Sequence, residues 1–104
     1  MKDCVFCRIV KGKEDAKVVK ETENLVVIHD INPQAAVHLL IIPKKHIVSV
    51  AHLEEQDKEL MGELILTAQK IAKDKGLKGY KLAINVGREG GQIIDHIHLH
   101  LLGK

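Results

Sequence analysis

Apolar positions along this 104-residue chain follow two rhythms. Between Leu53 and Lys75, the residues Leu60, Met61, Leu64, Ile65, Ala68, Ile71 and Ala72 recur at spacings of three and four, which predicts an amphipathic helix packed on a sheet. Glu54, Glu55 and Asp57 stand near its start and Lys70, Lys73 and Lys75 near its end, the order that a helix dipole favours; Gly76 supplies a C-terminal stop. Shorter runs predict strands. Ala16 to Glu21 and Leu25 to His29 form a hairpin across the polar turn Glu21-Thr22-Glu23-Asn24. Val37 to Ile42 is apolar on both faces, which places it at the centre of a sheet, and Tyr80 to Val86 alternates. A last strand is expected from about Ile94 to Leu102.

Cys4 to Val10 predicts a short helix or turn with Phe6, Ile9 and Val10 on its apolar side, and Asp30-Ile31-Asn32-Pro33 opens a loop, since the residue before a proline avoids helix. The order of elements implies an α+β fold: a mainly antiparallel five-stranded sheet, one long helix and a short N-terminal helix. A chain of this length is expected to make one domain, residues 1–104.

Charge narrows the partners. Sixteen Lys and Arg against fourteen Asp and Glu leave a net charge of +2, with the basic residues scattered, so no nucleic-acid stripe is expected. With Phe6 and Tyr80 the only aromatic residues, a base platform of several rings is excluded. The start Met1-Lys2-Asp3-Cys4 lacks the pattern of a secretory leader, and no apolar run is long enough to span a membrane. A cytoplasmic protein is the expectation. In that reducing compartment the Cys4-x-x-Cys7 pair suggests a metal site or a redox pair rather than a structural disulfide. A thioredoxin-like pair normally opens a helix after a strand, and no strand can precede residue four. Two free buried thiols are the plainer alternative.

The run His96-Ile97-His98-Leu99-His100 carries the strongest chemical signal. In an extended strand its three imidazoles share one face, while Ile97, Leu99 and Leu101 occupy the other. Alternate residues lie ~6.6 Å apart and the outer pair ~13 Å apart, too far to converge on one metal, so the three must divide their roles. One end is free to serve a metal, for which two thiolates and two imidazoles would make a closed tetrahedral zinc site. The glycine-rich stretch Asn85 to Gln92 lacks the Gly-Lys-Ser/Thr ending of a P-loop, but beside the imidazoles its amides are placed to bind a phosphate or orient a ring. His52, the Lys44-Lys45 pair and the lysines of the long helix read as local contacts or a solvated face.

The end of the chain, Gly90-Gly91-Gln92-Ile93-Ile94-Asp95-His96-Ile97-His98-Leu99-His100-Leu101-Leu102, resembles the signature of the histidine triad family. The likeness extends through Cys4-Val5-Phe6-Cys7-Arg8-Ile9, His29 to Ala35 and His38 to His46, and is strongest to the Hint branch of nucleoside phosphoramidases. This resemblance implies that His98 attacks the α-phosphorus of a purine nucleoside monophosphate derivative, forming a covalent nucleotidyl-histidine that water hydrolyses. It implies further that the His96 carbonyl orients His98, that His100 contacts phosphate oxygens, that Asn85 orients the site and that His38 lines the pocket. Asp30 would hold the ribose, and Phe6, Ile9, His29 and Ile31 would surround the base, with Gly91 and Gln92 beside the phosphate. Structural zinc on Cys4, Cys7, His46 and His96, and a homodimer, follow from the same likeness. Where many Hint-branch proteins carry a serine that helps protonate the leaving amine, this chain has Ile93. Dinucleoside polyphosphate hydrolysis and non-catalytic nucleotide binding are therefore the alternative readings.

Overall fold

The computed structural model describes residues 4–104, so the Met1–Asp3 part of the leader reading lies outside the described residues. The short helix α1 spans Val5–Val10, and the strands are β1 (Val18–Glu21), β2 (Leu25–His29), β3 (Val37–Pro43), β4 (Tyr80–Ala83) and β5 (Leu99–Gly103). The long helix α2 covers Lys58–Asp74 between β3 and β4. All pairings are antiparallel, in the order β1-β2-β3-β5-β4, which makes β3 the central strand its apolar run predicted.

Alternation along the strands sorts side chains onto two faces. Leu25, Val27, Leu39, Ile41, Leu99 and Leu101 meet Leu64, Ala68, Ile71 and Ala72 of α2 on one side. Val26, Ile28, Leu40 and Ile42 meet Cys4, Phe6 and Cys7 of the α1 region on the other. Each face is closed by one helix.

Several boundaries differ from the sequence-based expectation. The helix starts at Lys58 rather than Leu53, because two 3-10 turns, Val50–His52 and Glu55–Asp57, precede it. Ser49 is buried and accepts the Ala51 N–H, while the Asp57 carboxylate accepts the Glu54 N–H; both side chains satisfy backbone donors that a continuous helix would otherwise use. The last strand begins at Leu99, five residues later than expected. Residues 94–98 leave the ladder because the Ile97 N–H bonds the Ile47 carbonyl at 2.7 Å, on a segment outside the sheet.

Candidate active site and metal centre

The three histidines of the run sit on the α1 side of the sheet, where Phe6 packs edge-on against both His96 and His98 with ring centroids 5.7 and 5.1 Å apart. His98 and His100 are neighbours at 4.9 Å. Their surroundings separate them chemically.

His96 is fully buried, and its Nε2–H donates to the Pro43 carbonyl at 2.8 Å. That bond leaves Nδ1 with its lone pair. The Nδ1 atom lies 3.2 Å from Cys4 Sγ, 3.7 Å from Cys7 Sγ and 3.1 Å from His46 Nδ1, while Cys7 Sγ is 3.3 Å from His46 Nδ1. A tetrahedral zinc with bonds of ~2.3 Å to sulfur and ~2.0 Å to nitrogen has edges of roughly 3.3–3.8 Å, so the four residues fit that ion in chemistry and in spacing. The second-layer bond to Pro43 fixes the ring as metal ligands require. Burial depresses the His96 pKa to about 4 and lowers that of His46, so both rings are neutral donors at pH 7. Burial raises the Cys7 thiol, with the Cys4 sulfur beside it adding to the shift, which makes two adjacent thiolates costly without a cation between them.

His98 is buried, and its Nδ1–H donates to the His96 carbonyl at 2.7 Å. The proton is thereby held on Nδ1 and the Nε2 lone pair is available. Burial pushes its pKa below the ordinary value, which keeps the ring neutral.

His100 faces a second group. The Gln34 N–H donates to His38 Nδ1 at 2.9 Å, so the His38 proton sits on Nε2, 3.0 Å from His100 Nδ1 and 3.3 Å from Asp30 Oδ2. With Nδ1 of His100 accepting, its own proton lies on Nε2, a buried atom without a hydrogen-bond partner among the described residues. Burial lowers the His100 pKa as well. Asp30, His38 and His100 lie close enough to share a cation, but a metal ligand normally donates through its other nitrogen, whereas His38 accepts there. Asp30 and His100 share the one His38 N–H, which fixes the His100 tautomer and leaves its Nε2–H unpaired among the described residues.

The glycine segment departs from its expected role. The N–H groups of Gly87, Gly90, Gly91 and Gln92 all donate within the segment, to Gln92 Oε1, the Gly87 carbonyl, the Arg88 carbonyl and the Gly87 carbonyl respectively. These amides do not form an anion nest. Gly87 and Gly91 adopt φ of 71° and 91°, which only glycine takes without strain, and between them Arg88–Gly90 makes one 3-10 turn. Gln92 was expected to contact phosphate or an imidazole; instead its buried amide donates to the Val48 and Ile94 carbonyls at 2.7 and 2.9 Å. Asn85 Nδ2 reaches the Gly91 carbonyl at 3.5 Å, at the loop rather than at a ring.

Other expected residues are spread between core and surface. Phe6 is buried, Ile9 is half-buried beside it, Asp30 is half-buried, and His29 and Ile31 are exposed, Ile31 to 91%. Ile93 is 81% exposed. His52 is a local contact, 2.8 Å from Ser49 Oγ, as expected. The lysine pair is partly solvated, as expected, but ion-paired as well: Lys44 binds Glu21 at 2.7 Å and half-exposed Lys45 binds buried Asp57 at 2.6 Å. Sequence reasoning missed the backbone groups of Gln34, Pro43 and Ile47, which no side-chain signal announces. No helix among the described residues is long and apolar enough to cross a membrane.

Comparison with known proteins agrees with this fold. Residues 3–104 match the family model described as scavenger mRNA decapping enzyme C-term binding. The chain is 42% identical to Protein HitA of Neisseria gonorrhoeae, over 99% of this chain and 97% of that protein. A HIT family hydrolase from Legionella pneumophila superposes with a TM-score of 0.95 at 48% identity, covering 97% of this chain and 92% of that one. A zinc-bound histidine triad family protein from Mycobacterium smegmatis superposes with a TM-score of 0.85 at 34% identity, over 98% of this chain and 75% of that one. The chain belongs to the histidine triad family.

Proposed function

We propose that this protein is a nucleotide hydrolase that cleaves phosphoramidate derivatives of purine nucleoside monophosphates at the α-phosphate, with His98 as nucleophile. The observation that carries the reading is the 2.7 Å bond from His98 Nδ1–H to the His96 carbonyl. It points Nε2 outward as a neutral lone pair, the form a phosphorus-attacking imidazole needs. In the first step Nε2 bonds to phosphorus while the bond to the leaving group breaks; in the second, water attacks phosphorus and the nitrogen–phosphorus bond breaks, restoring His98.

The Nε2–H of His100, without a partner among the described residues, is suited to a phosphate oxygen, and the His38 N–H held by Asp30 fixes the ring in that tautomer. Half-buried Ile9 of α1, with exposed His29 at the end of β2 and Ile31 just beyond it, offers apolar and planar surface for a base over the buried Phe6, and Asp30 a carboxylate for ribose hydroxyls. Asn85 and the Gly91 carbonyl lie together at the glycine loop, where Asn85 would help orient a bound phosphate. Zinc on Cys4, Cys7, His46 and His96 would cross-link α1 to the histidine run and stabilise charge on the thiolates. The Legionella relative, described as a hydrolase, supports the reaction class. A reduced Cys4-Cys7 pair suits a cytoplasmic location, and the outer edge of β4 offers a route to a homodimer through a continuous sheet.

Ile93, exposed and without a donor, favours a second substrate class, the dinucleoside polyphosphates, whose phosphate leaving group needs less protonation than an amine. The test is a panel of phosphoramidates, polyphosphates and esters assayed with wild-type protein and His98→Ala, with mass spectrometry of the trapped nucleotidyl-enzyme. Turnover by wild type, an adduct on His98 and loss of both in the variant are expected. Full activity in His98→Ala would sink the mechanism; nucleoside monophosphate binding without turnover would make the protein a binding module.

A further inference from the structure

Gln92 is 2% exposed, and all of its amide atoms are engaged with main chain from three places. Its Oε1 accepts the Gly87 N–H at 2.8 Å, at the start of the glycine loop. Its Nε2 donates to Val48, in the segment that follows metal-cluster residue His46, and to Ile94, in the bend that leads into the histidine run. The same segment supplies the Ile47 carbonyl that receives the N–H of Ile97, the residue between His96 and His98. Residues 94–98 have no ladder partner in the sheet, so these bonds take the place of one. On the outside, Arg88 clamps the loop to the same bend, binding the Gln92 carbonyl at 2.8 Å and Asp95 at 2.7 and 3.1 Å.

We propose that Gln92 is a positioning residue whose carboxamide joins the glycine loop, the 46–48 segment and the histidine run into one body, and so holds the His96 carbonyl where it aligns His98. The proposal rests on the reading of His98 as the nucleophile. A buried primary amide suits the task, since it offers one acceptor and two donors in a plane and here uses all three. With both donors used and the side chain 2% exposed, the amide is closed to a ligand, which separates positioning from binding.

Two variants divide the bonds. Gln92→Glu keeps the acceptor for Gly87 and removes both donors; Gln92→Met removes all three. In folded variants, adenosine monophosphate should bind within about threefold of wild type, while nucleotidylation of His98 in a single turnover falls ~100-fold, the scale of a small misplacement of reacting atoms. Nitrogen NMR should show the His98 proton no longer confined to Nδ1, and the Ile97 amide should exchange at least about tenfold faster. An unchanged His98 tautomer and Ile97 exchange rate in a folded variant would overturn the proposal, as would an equal loss of nucleotide affinity and nucleotidylation, which marks a ligand contact. Should neither variant fold, wild-type exchange decides: Gln92 side-chain amide protons should exchange as slowly as the Ile97 amide, and much faster exchange refutes the link. The NMR and exchange readouts need no substrate. A wild-type protein inert toward every nucleotide would therefore defeat the proposed reaction without touching this result.

Discussion

The two faces of the sheet are built from alternate residues of the same strands, yet they differ in kind. Toward α2, β3 and β5 present Leu39, Ile41, Leu99 and Leu101, which meet helix residues in an all-apolar core. Toward α1 they present His38, Leu40, Ile42 and His100, in the company of two thiols, Phe6 and the approaching His96 and His98. One face excludes water and asks nothing further of its residues. The other buries polar groups, and each must find a partner, a ligand or a metal. The comparison teaches that the α2 face is built for stability alone, whereas the α1 face carries the proposed chemistry and would draw part of its own stability from the zinc and nucleotide proposed for it.

The largest test of that division is His98→Ala. Turnover should drop by ~10⁴-fold or more, as for other covalent nucleophiles, with little change in the unfolding midpoint. A comparable fall in stability would merge the two faces. Zinc removal comes next: one ion per chain is expected by metal analysis, and free zinc at about a thousand times its Kd adds ~4 kcal/mol of stability that a chelator should withdraw. A denaturation curve indifferent to chelation would leave the thiol face without its metal.

Leu101→Ala, on the apolar face, should cost ~2–5 kcal/mol in denaturant unfolding while nucleotide affinity of the folded protein holds. The smallest effect lies away from both faces. The Lys45 ammonium, and then the Glu54 N–H, hold the Asp57 carboxyl below the usual carboxylate range. Because this pKa is lower folded than unfolded, the stability it contributes is present above about pH 3.9 and lost as pH falls through the folded value. Lys45→Met should shrink that acid-side advantage, read as a smaller difference between urea midpoints at pH 5 and pH 3.

Much of this division was legible in the residues. The Val37 to Ile42 run, apolar on both faces and ended by Pro43, suggests a central strand, and the spacing of Leu64, Ala68, Ile71 and Ala72 marks one side of a helix. The alternation of His96, His98 and His100 with Ile97 and Leu99 gave the correct side for each ring but overextended the strand. An alternating pattern reports which way side chains point and is silent on which main chain they pair with; Ile47 lies fifty residues away from Ile97. Gln92 and the glycine loop were read as ligand contacts for the same reason. A free amide and an engaged one have the same letter, and only the neighbours Gly87, Val48 and Ile94 distinguish them. The Lys44 and Lys45 partners, Glu21 and Asp57, are equally invisible until the chain has folded.

His96 holds its neighbours by two unrelated means: a ring that faces the sulfur cluster and a carbonyl that faces His98. Any of the ordinary amino acids carries that carbonyl, so alanine scanning at this position would report the ring alone and credit the residue with metal binding only. The other half of its work becomes visible when the peptide link itself is edited. Replacing Ile97 by its α-hydroxy acid turns the His96 amide carbonyl into a weaker ester acceptor and leaves every side chain in place. That change also deletes the Ile97 N–H, so the control is the α-hydroxy acid in place of Val48, which weakens the Ile47 carbonyl that receives this N–H and leaves the His96 carbonyl an amide.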